Sequence, residues 1–351
     1  MTAHRRWASV PETLLLCVAF AVVVLGAAAP TGSPAPATPA SVLSAARERL
    51  VDHFSTVQER CRCASALQQR FDAESAQLAH PAEDSAADHP DAAVLAQLEA
   101  QLVDRLIASP ATVQPFDGAQ SLLVRSSVDG TWQPLAVFAP ARGNDKNGLP
   151  LVILLPDAQQ SENEVIALPQ LRALAQSTQT VVAVPWMRGT DTLSQANSAD
   201  VYDARDALTS SYAIDQRRIF LGGISIGAIN AFSVATQKPR AWSALLSIGG
   251  TLTTDTMAAV GQYLRGKQFF LVAGGDDHFI RAEYVRAAAS WLSQNGMESH
   301  YYEAARGDRT FTSMESAVEQ AWHAMLSGVR ATTSGGETEL RTPAPLPSQK
   351  G

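Results

Sequence analysis

The stretch Arg218–Gly227, reading Arg-Ile-Phe-Leu-Gly-Gly-Ile-Ser-Ile-Gly, constrains the fold more than any other part of the chain. A short apolar run, Ile219–Leu221, ends in two glycines; Ser225 and Gly227 follow, and alanine-rich helical sequence runs from Ala228 to Ala235. A strand, a tight turn with serine at its apex and a helix form the layout of a nucleophile elbow. Gly223 and Gly227 flank Ser225 as Gly-x-Ser-x-Gly, and a side chain at either position would clash in so tight a turn. The helix behind Ser225 would aim its free N–H groups at the point where a carbonyl oxygen gains charge.

The surrounding sequence has the texture that such an elbow requires. Ser121–Ser126 and Trp132–Phe138 read as strands around the hairpin turn Asp129-Gly130. Pro150–Leu155, Thr180–Val184, Ser243–Ile248 and Gln268–Ala273 are continuous apolar runs, hence strands buried on both faces. Helical patterns lie at 162–176, 198–212, 281–295 and 313–329, and a short strand at His300–Glu303. Strands alternating with helices predict an α/β fold, a mostly parallel sheet with helices on both faces, opened by an antiparallel hairpin.

Before this domain the pattern is helical. From Ser41, the residues Leu43, Leu50, Phe54, Val57, Cys61, Ala64 and Phe71 recur at three- and four-residue steps or their sums, and Leu95, Leu98, Leu102 and Leu106 share one face of 92–107. The stretch 80–90 reads as a loop, so residues 41–109 predict a small helical hairpin that packs on itself, on the main domain or on a protein partner. Cys61 and Cys63, two apart on one helix, would point about 200° apart, which disfavours a bond between them; an intermolecular bond stays open, and two ordinary small residues are the favoured reading.

Residues 1–29 read as a targeting segment: Arg5 and Arg6 precede an apolar stretch, 13–25, and the small residues Gly26–Ala29. Cleavage of a signal peptide is expected, with an uncleaved membrane tether through 13–29 as the alternative. Either places the body of the chain outside the cytoplasm, periplasmic or secreted. Residues 30–40, rich in Pro and Ala, read as a linker, and 331–351 as a disordered tail. The 351 residues allow a large core, and a net charge of −7 without a basic stripe argues against a nucleic-acid partner. No cofactor motif, nucleotide loop or metal-ligand cluster is read.

Residues 113–330 resemble the α/β-hydrolase superfamily, in particular its secreted esterase and polyhydroxybutyrate-depolymerase-like branch. The resemblance is carried by Asp129-Gly130 and the strand Pro134–Pro140, by Leu149–Leu155, by Val182-Ala183-Val184-Pro185, and above all by Tyr212-Ala213-Ile214-Asp215 through Gly227. It implies Ser225 as nucleophile, followed in chain order by an acid and a histidine. The loop Gly274-Gly275-Asp276-Asp277-His278 stands where such hydrolases carry Gly-x-x-Asp, which selects Asp277 as the acid, with Asp276 second.

The family histidine is expected after the next strand, where this chain has Arg306-Gly307-Asp308; Asp308 occupies its position. His278 sits at the correct end of the sheet, His300 near the other edge and His323 well inside the last helix. An aspartate could act as base only if its pKa were strongly raised. After Leu151–Leu155, where relatives show His-Gly, this chain has Pro156-Asp157-Ala158-Gln159, so the oxyanion donors expected are the backbone N–H of Ile226 with that of Ala158 or Gln159. Trp186, Met187 and Arg188 would line the pocket or pack the loop. The resemblance implies a serine hydrolase of small-molecule carboxylic esters or amides, with its base unidentified. The alternative is a catalytically degenerate hydrolase-fold protein serving as an extracytoplasmic ligand- or partner-binding module; in a third reading the helical region is the working part of an envelope-tethered scaffold.

Overall fold

The structure, a computed structural model, describes residues 37–79, 88–108, 113–141, 148–158, 160–190 and 192–328. The targeting segment, most of the linker and the tail lie outside the described residues. All described residues belong to one compact unit that begins at Ala37.

The core is an eight-stranded sheet: β1 Gly118–Arg125, β2 Trp132–Ala139, β3 Leu149–Leu155, β4 Val181–Pro185, β5 Ile214–Ile224, β6 Ala244–Ile248, β7 Gln268–Gly274 and β8 Glu298–Ala304. Their spatial order is β1-β2-β4-β3-β5-β6-β7-β8. β2 runs against its neighbours β1 and β4, and the later pairs are parallel. This is an α/β-hydrolase-like arrangement. Continuous apolar runs make these strands because successive side chains point to opposite faces and both faces are covered. On β3, Leu151, Ile153 and Leu155 enter one core while Val152 and Leu154 enter the other. The first core is closed by Val201 and Leu208 of a helix α7 (Gln195–Ser211), Phe232 of the helix after β5, and Val285 and Leu292 of a helix at Ala282–Gln294. The second is closed by Leu171 and Leu174 of a helix α6 (Pro169–Ser177) and by Trp322 and Met325 of a helix at Glu315–Gly328.

The helical region has four helices where a hairpin was expected: α1 Pro39–Asp52, α2 Phe54–Cys61, α3 Ala64–Ala79 and α4 Ala92–Ile107. The apolar stripe is continuous in sequence, but the chain breaks at His53 and again at Arg62, whose φ of 57° is left-handed. α1 starts inside the expected linker, capped by Thr38 with Pro39 in its first turn. The break at Arg62 also corrects the reading of the cysteines. Cys63 lies outside the helix, so helical spacing no longer separates the sulfurs, and a Cys61–Cys63 disulfide joins them. The stripes of α1 to α4 pack on one another and on Leu123 of β1, with Trp132 and Trp186 against them.

A buried charge cluster bolts these helices to the sheet domain. Arg70 of α3 pairs with Glu74 of α3, Glu99 of α4 and Glu162, the first residue of a short helix α5 (Glu162–Ile166). Glu99 and Glu162 are fully buried, and Asn163 Nδ2 donates to Glu99 at 2.9 Å. One guanidinium thus faces three carboxylates. Burial pushes the Glu99 carboxyl up to about 7 against the pull of Arg70, and the Glu162 charge adds to the rise; burial and Glu99 likewise push Glu74 well up. The folded state therefore holds a proton on Glu99 that an unfolded glutamate releases near 4.5. The stabilisation is complete below the unfolded value and is lost as pH rises through the folded one. The thermal midpoint is expected to fall as pH is raised from 4.5 to about 7, a dependence that Glu99→Gln flattens in a pH series of melting curves. Arg70→Met, which strands the carboxylates, is expected to lose about 3–5 kcal/mol in urea unfolding.

Candidate functional site

β5 ends at Ile224, and a helix α8 runs from Ile226 to Gln237, leaving Ser225 alone at the apex between them. Its backbone is at φ 52°, ψ −116°, a left-handed conformation for a residue with a side chain. Two close approaches hold it there. A Cβ on Gly223 would overlap the Gly227 carbonyl, and a Cβ on Gly227 would overlap the carbonyl oxygens of Leu155 and Pro156 at the end of β3. Ser225 N–H donates to Ile248 O at 2.8 Å, which ties the apex to β6. Ser225 is 9% exposed, and among the described residues its Oγ has no hydrogen-bond partner.

The loops after β3, β4, β7 and β8 gather at the same end of the sheet, where parallel α/β folds place their sites. Asp277 is 4% exposed. Its Oδ1 accepts from Phe279 N at 2.7 Å and Ile280 N at 2.9 Å, while Oδ2 is buried without a partner. This loop is sewn to the one after β8: Gly275 N donates to Ala304 O at 2.7 Å and Asp276 N to Gly307 O at 2.8 Å. Gly274 and Gly275 allow the contact, since a Cβ on either would strike the backbone of 305–308.

The other expected residues fall as follows. His278 is exposed, and its ring makes no hydrogen bond among the described residues. Asp308 closes its own turn: Oδ1 accepts from Thr310 N and Thr310 Oγ1 at 2.7 Å each, and from Ser313 Oγ. Burial would raise its carboxyl, but the bonds from Ser313 and Thr310, with Arg309 nearby, outweigh it and hold the group below the ordinary aspartate value. That is the wrong direction for a base. The Ala158 N–H, an expected oxyanion donor, donates to Asp157 Oδ1 at 2.7 Å, and Gln159 lies outside the described residues. Ile226 is the first residue of α8, where a backbone N–H has no partner within its helix. His300 stacks on Phe270 at 4.7 Å in the edge strand β8, and His323 is exposed on the last helix. Trp186 and Met187 line a cavity, whereas Arg188 is drawn away to Asp129 and Asp200.

Two adjoining cavities flank the elbow, sharing Gln77, Asp157, Gln160 and Glu164. One, of about 430 Å³, is roofed by Ala66, Arg70, Ala73, Glu74 and Gln77, a single face of α3, and reaches Ala158, Trp186 and Asn230 of α8. The other, of about 480 Å³, is lined by Ile224, Asp277, His278 and Asp308, with Asp88 and Pro90 from the segment before α4. Sequence reasoning missed Asp88: its carboxylate accepts from Phe311 N at 3.2 Å and Thr312 N at 2.8 Å, partners more than 220 positions away that no local pattern signals. Among the described residues no group of His, Cys, Asp or Glu is placed to hold a metal ion.

The model of the prolyl oligopeptidase family matches residues 182–300, about a third of the chain. No curated protein sequence matches. Solved structures that are similar include a thermostable esterase (16% identity, TM-score 0.44, 58% of this chain and 60% of that one). Others are an S-formylglutathione hydrolase from Agrobacterium tumefaciens (15%, 0.49, 62% and 98%) and a thermophilic carboxylesterase cloned from a metagenomic library (15%, 0.49, 62% and 92%). The match spans about three fifths of the thermostable esterase.

The close approach at the elbow gives a direct test. Gly227→Ala is expected to cost about 3 kcal/mol or more, because both atoms met are backbone and cannot rotate away. The measurement is urea unfolding, with Gly266→Ala as control, since nothing lies near a Cβ there and only its backbone conformation resists the change.

Proposed function

We propose that this protein is an exported serine hydrolase of carboxylic esters or amides, of the secreted esterase and polyhydroxybutyrate-depolymerase-like kind, with Ser225 as nucleophile and Asp277 as acid. The observation that carries the reading is the backbone of Ser225. A left-handed φ at a residue with a side chain costs about 1–3 kcal/mol and persists only where surrounding contacts enforce it. Here Gly223, Gly227 and the Ile248 carbonyl do so. That conformation leaves Ser225 at the head of α8, whose first N–H groups would stabilise a tetrahedral oxyanion.

In this reading Ser225 Oγ attacks the substrate carbonyl and its proton passes to a base. His278 is the base proposed: it lines the same cavity as Asp277, and turning its ring breaks no hydrogen bond. The unpartnered Asp277 Oδ2 is the acceptor such an imidazolium would use. The expected histidine position is then taken by Asp308, which serves the turn. Asp157 competes with the oxyanion for Ala158 N–H, so turnover is slow until it swings away. Export by residues 1–29, or a membrane tether through 13–29, belongs to the same proposal, and so does a protein partner for the helical region.

A second reading, a degenerate hydrolase fold that binds a ligand or partner, is favoured by one observation. Among the described residues no histidine bonds Ser225 Oγ, and loss of a triad histidine costs about six orders of magnitude in turnover. A fluorophosphonate probe separates the two. Labelling of the exported protein that disappears in Ser225→Ala is the expected result; no labelling of the wild type selects the binding module. Asp157→Ala, by releasing Ala158 N–H, is expected to raise p-nitrophenyl acetate turnover at least about tenfold, with kcat rather than KM carrying the change.

A further inference from the structure

The chain leaves β4 through three successive left-handed residues, Met187 at φ 55°, Arg188 at φ 60° and Gly189 at φ 65°. Only the last is a glycine. Left-handed residues normally occur singly, because Cβ crowds the following carbonyl, and a run of them persists only where its surroundings hold it. Backbone bonds close the turn: Gly189 N donates to Trp186 O at 3.2 Å and Thr190 N to Met187 O at 3.3 Å.

The side chain of Arg188 supplies the hold. Its Nε and Nη2 donate to the two oxygens of Asp200 on α7, at 2.6 and 3.1 Å. Nη1 donates to Asp129 Oδ2 at 2.7 Å and Nη2 to Ser126 Oγ at 2.9 Å, both in the turn between β1 and β2. A planar fork bonded in this way to two elements fixes the direction of the backbone that carries it.

With Arg188 anchored there, its neighbours Trp186, Met187 and Gly189 line the cavity of about 430 Å³ under α3. The indole is placed by the same turn. A Cβ on Gly189 would stand 2.8 Å from Trp186 Cζ2, so the ring lies against that glycine, and it also packs on the core of the helical region. Of the other large apolar residues in the lining, Leu155 is fully buried and Met187 is 5% exposed. Trp186 is only half-buried, so it offers the largest apolar surface.

The two cavities beside the elbow divide by chemistry. In a serine hydrolase the base returns its proton to the leaving group, so the leaving group lies on the side of the base. His278 lines the cavity of about 480 Å³. The acyl group then belongs on the other side, in the cavity reached by Ala158 of the loop after β3 and by Asn230, one turn along α8 from Ile226.

We propose that the cavity under α3 takes the acyl part of the substrate, that Trp186 is its specificity-determining wall, and that Arg188 is a positioning residue acting through Trp186. The division into acyl and leaving group rests on the hydrolase reading of Ser225 and His278. The acyl groups selected carry an apolar chain that reaches the indole. An acetyl group is too small to fill about 430 Å³, whereas each methylene laid on the indole adds apolar burial.

The test reads turnover of p-nitrophenyl acetate and p-nitrophenyl hexanoate. Trp186→Ala is expected to lower the ratio of kcat/KM for hexanoate to that for acetate at least about tenfold, through KM for the hexanoate. Arg188→Met is expected to lower the same ratio about fivefold. In a Trp186→Ala background it changes the ratio less than about twofold, because no indole is left to position. Gly189→Ala displaces the indole without removing it and carries the test where Trp186→Ala does not fold. A ratio unchanged in folded Trp186→Ala, or in Gly189→Ala where the former does not fold, overturns the wall. Losses from Trp186→Ala and Arg188→Met that add overturn the positioning role.

Binding is read without turnover by calorimetric titration of hexanamide into the full-length Ser225→Ala protein, and Trp186→Ala is expected to weaken it at least about fivefold. No binding at about 20 mM, or an affinity indifferent to the Trp186 and Gly189 variants, overturns the proposal. Hexanamide binding that depends on Trp186, with no turnover of either ester, removes the hydrolase reading and leaves the cavity as a site for apolar chains. Turnover of both esters with a ratio indifferent to Trp186 leaves the hydrolase reading and removes Trp186 from it.

Discussion

The amino end of α8 presses against the end of β3, and the rest of the site depends on that contact. Gly227 lies against the carbonyls of Leu155 and Pro156, and Gly223 against Gly227 itself. No other residue fits at either point, because the atoms met are backbone. The contact forces the chain to reverse within one residue, and Ser225 absorbs the reversal in a left-handed conformation. It also sets where the loop after β3 begins, and so where Asp157 and Ala158 stand relative to the helix end. The cost is local, about 1–3 kcal/mol, and the two apolar cores on either side of the sheet hold it in place.

A second close approach organises the acid. Gly274 and Gly275 let the loop after β7 lie directly on the loop after β8, joined by two backbone hydrogen bonds. Asp277 is thereby buried and aimed, while Asp308 is turned back into its own loop by Thr310 and Ser313. The two aspartates stand near each other in the cavity wall yet have different chemistry: one keeps a free carboxylate oxygen, and the other is held as a low-pKa turn residue. Across the cavity Asp88 grips Phe311 and Thr312, so the helical region is part of the site and not an appendage. The cluster around Arg70, on the same face of α3 as Gln77, does the same work.

Much of this frame was legible in the sequence because its causes are local. The buried strands announce themselves as apolar runs, and the elbow as glycines at fixed spacing around a serine. α4 is legible over its whole length because Leu95, Leu98, Leu102 and Leu106 repeat without a break. Where a single backbone conformation intervenes, the pattern misleads. The stripe through Leu50, Val57, Cys61 and Phe71 looks like one helix, but it is three, and the left-handed Arg62 brings Cys61 and Cys63 together against their helical spacing. The helix at Thr254–Tyr263 shows no amphipathic stripe in the sequence, and only its Val260 and Gly261 are buried.

The sequence by itself determined the α/β sheet with its elbow, Ser225 at the apex and Asp277 in the loop after β7. Each of these follows from neighbouring residues through sterics and burial of a continuous apolar run. Only the tertiary structure decided what surrounds them. The roof of α3, the burial of Glu99 and Glu162 around one arginine and the anchoring of Arg188 on Asp129 join residues far apart in the chain. Such contacts are selected by how whole layers pack, and no spacing along the sequence encodes them.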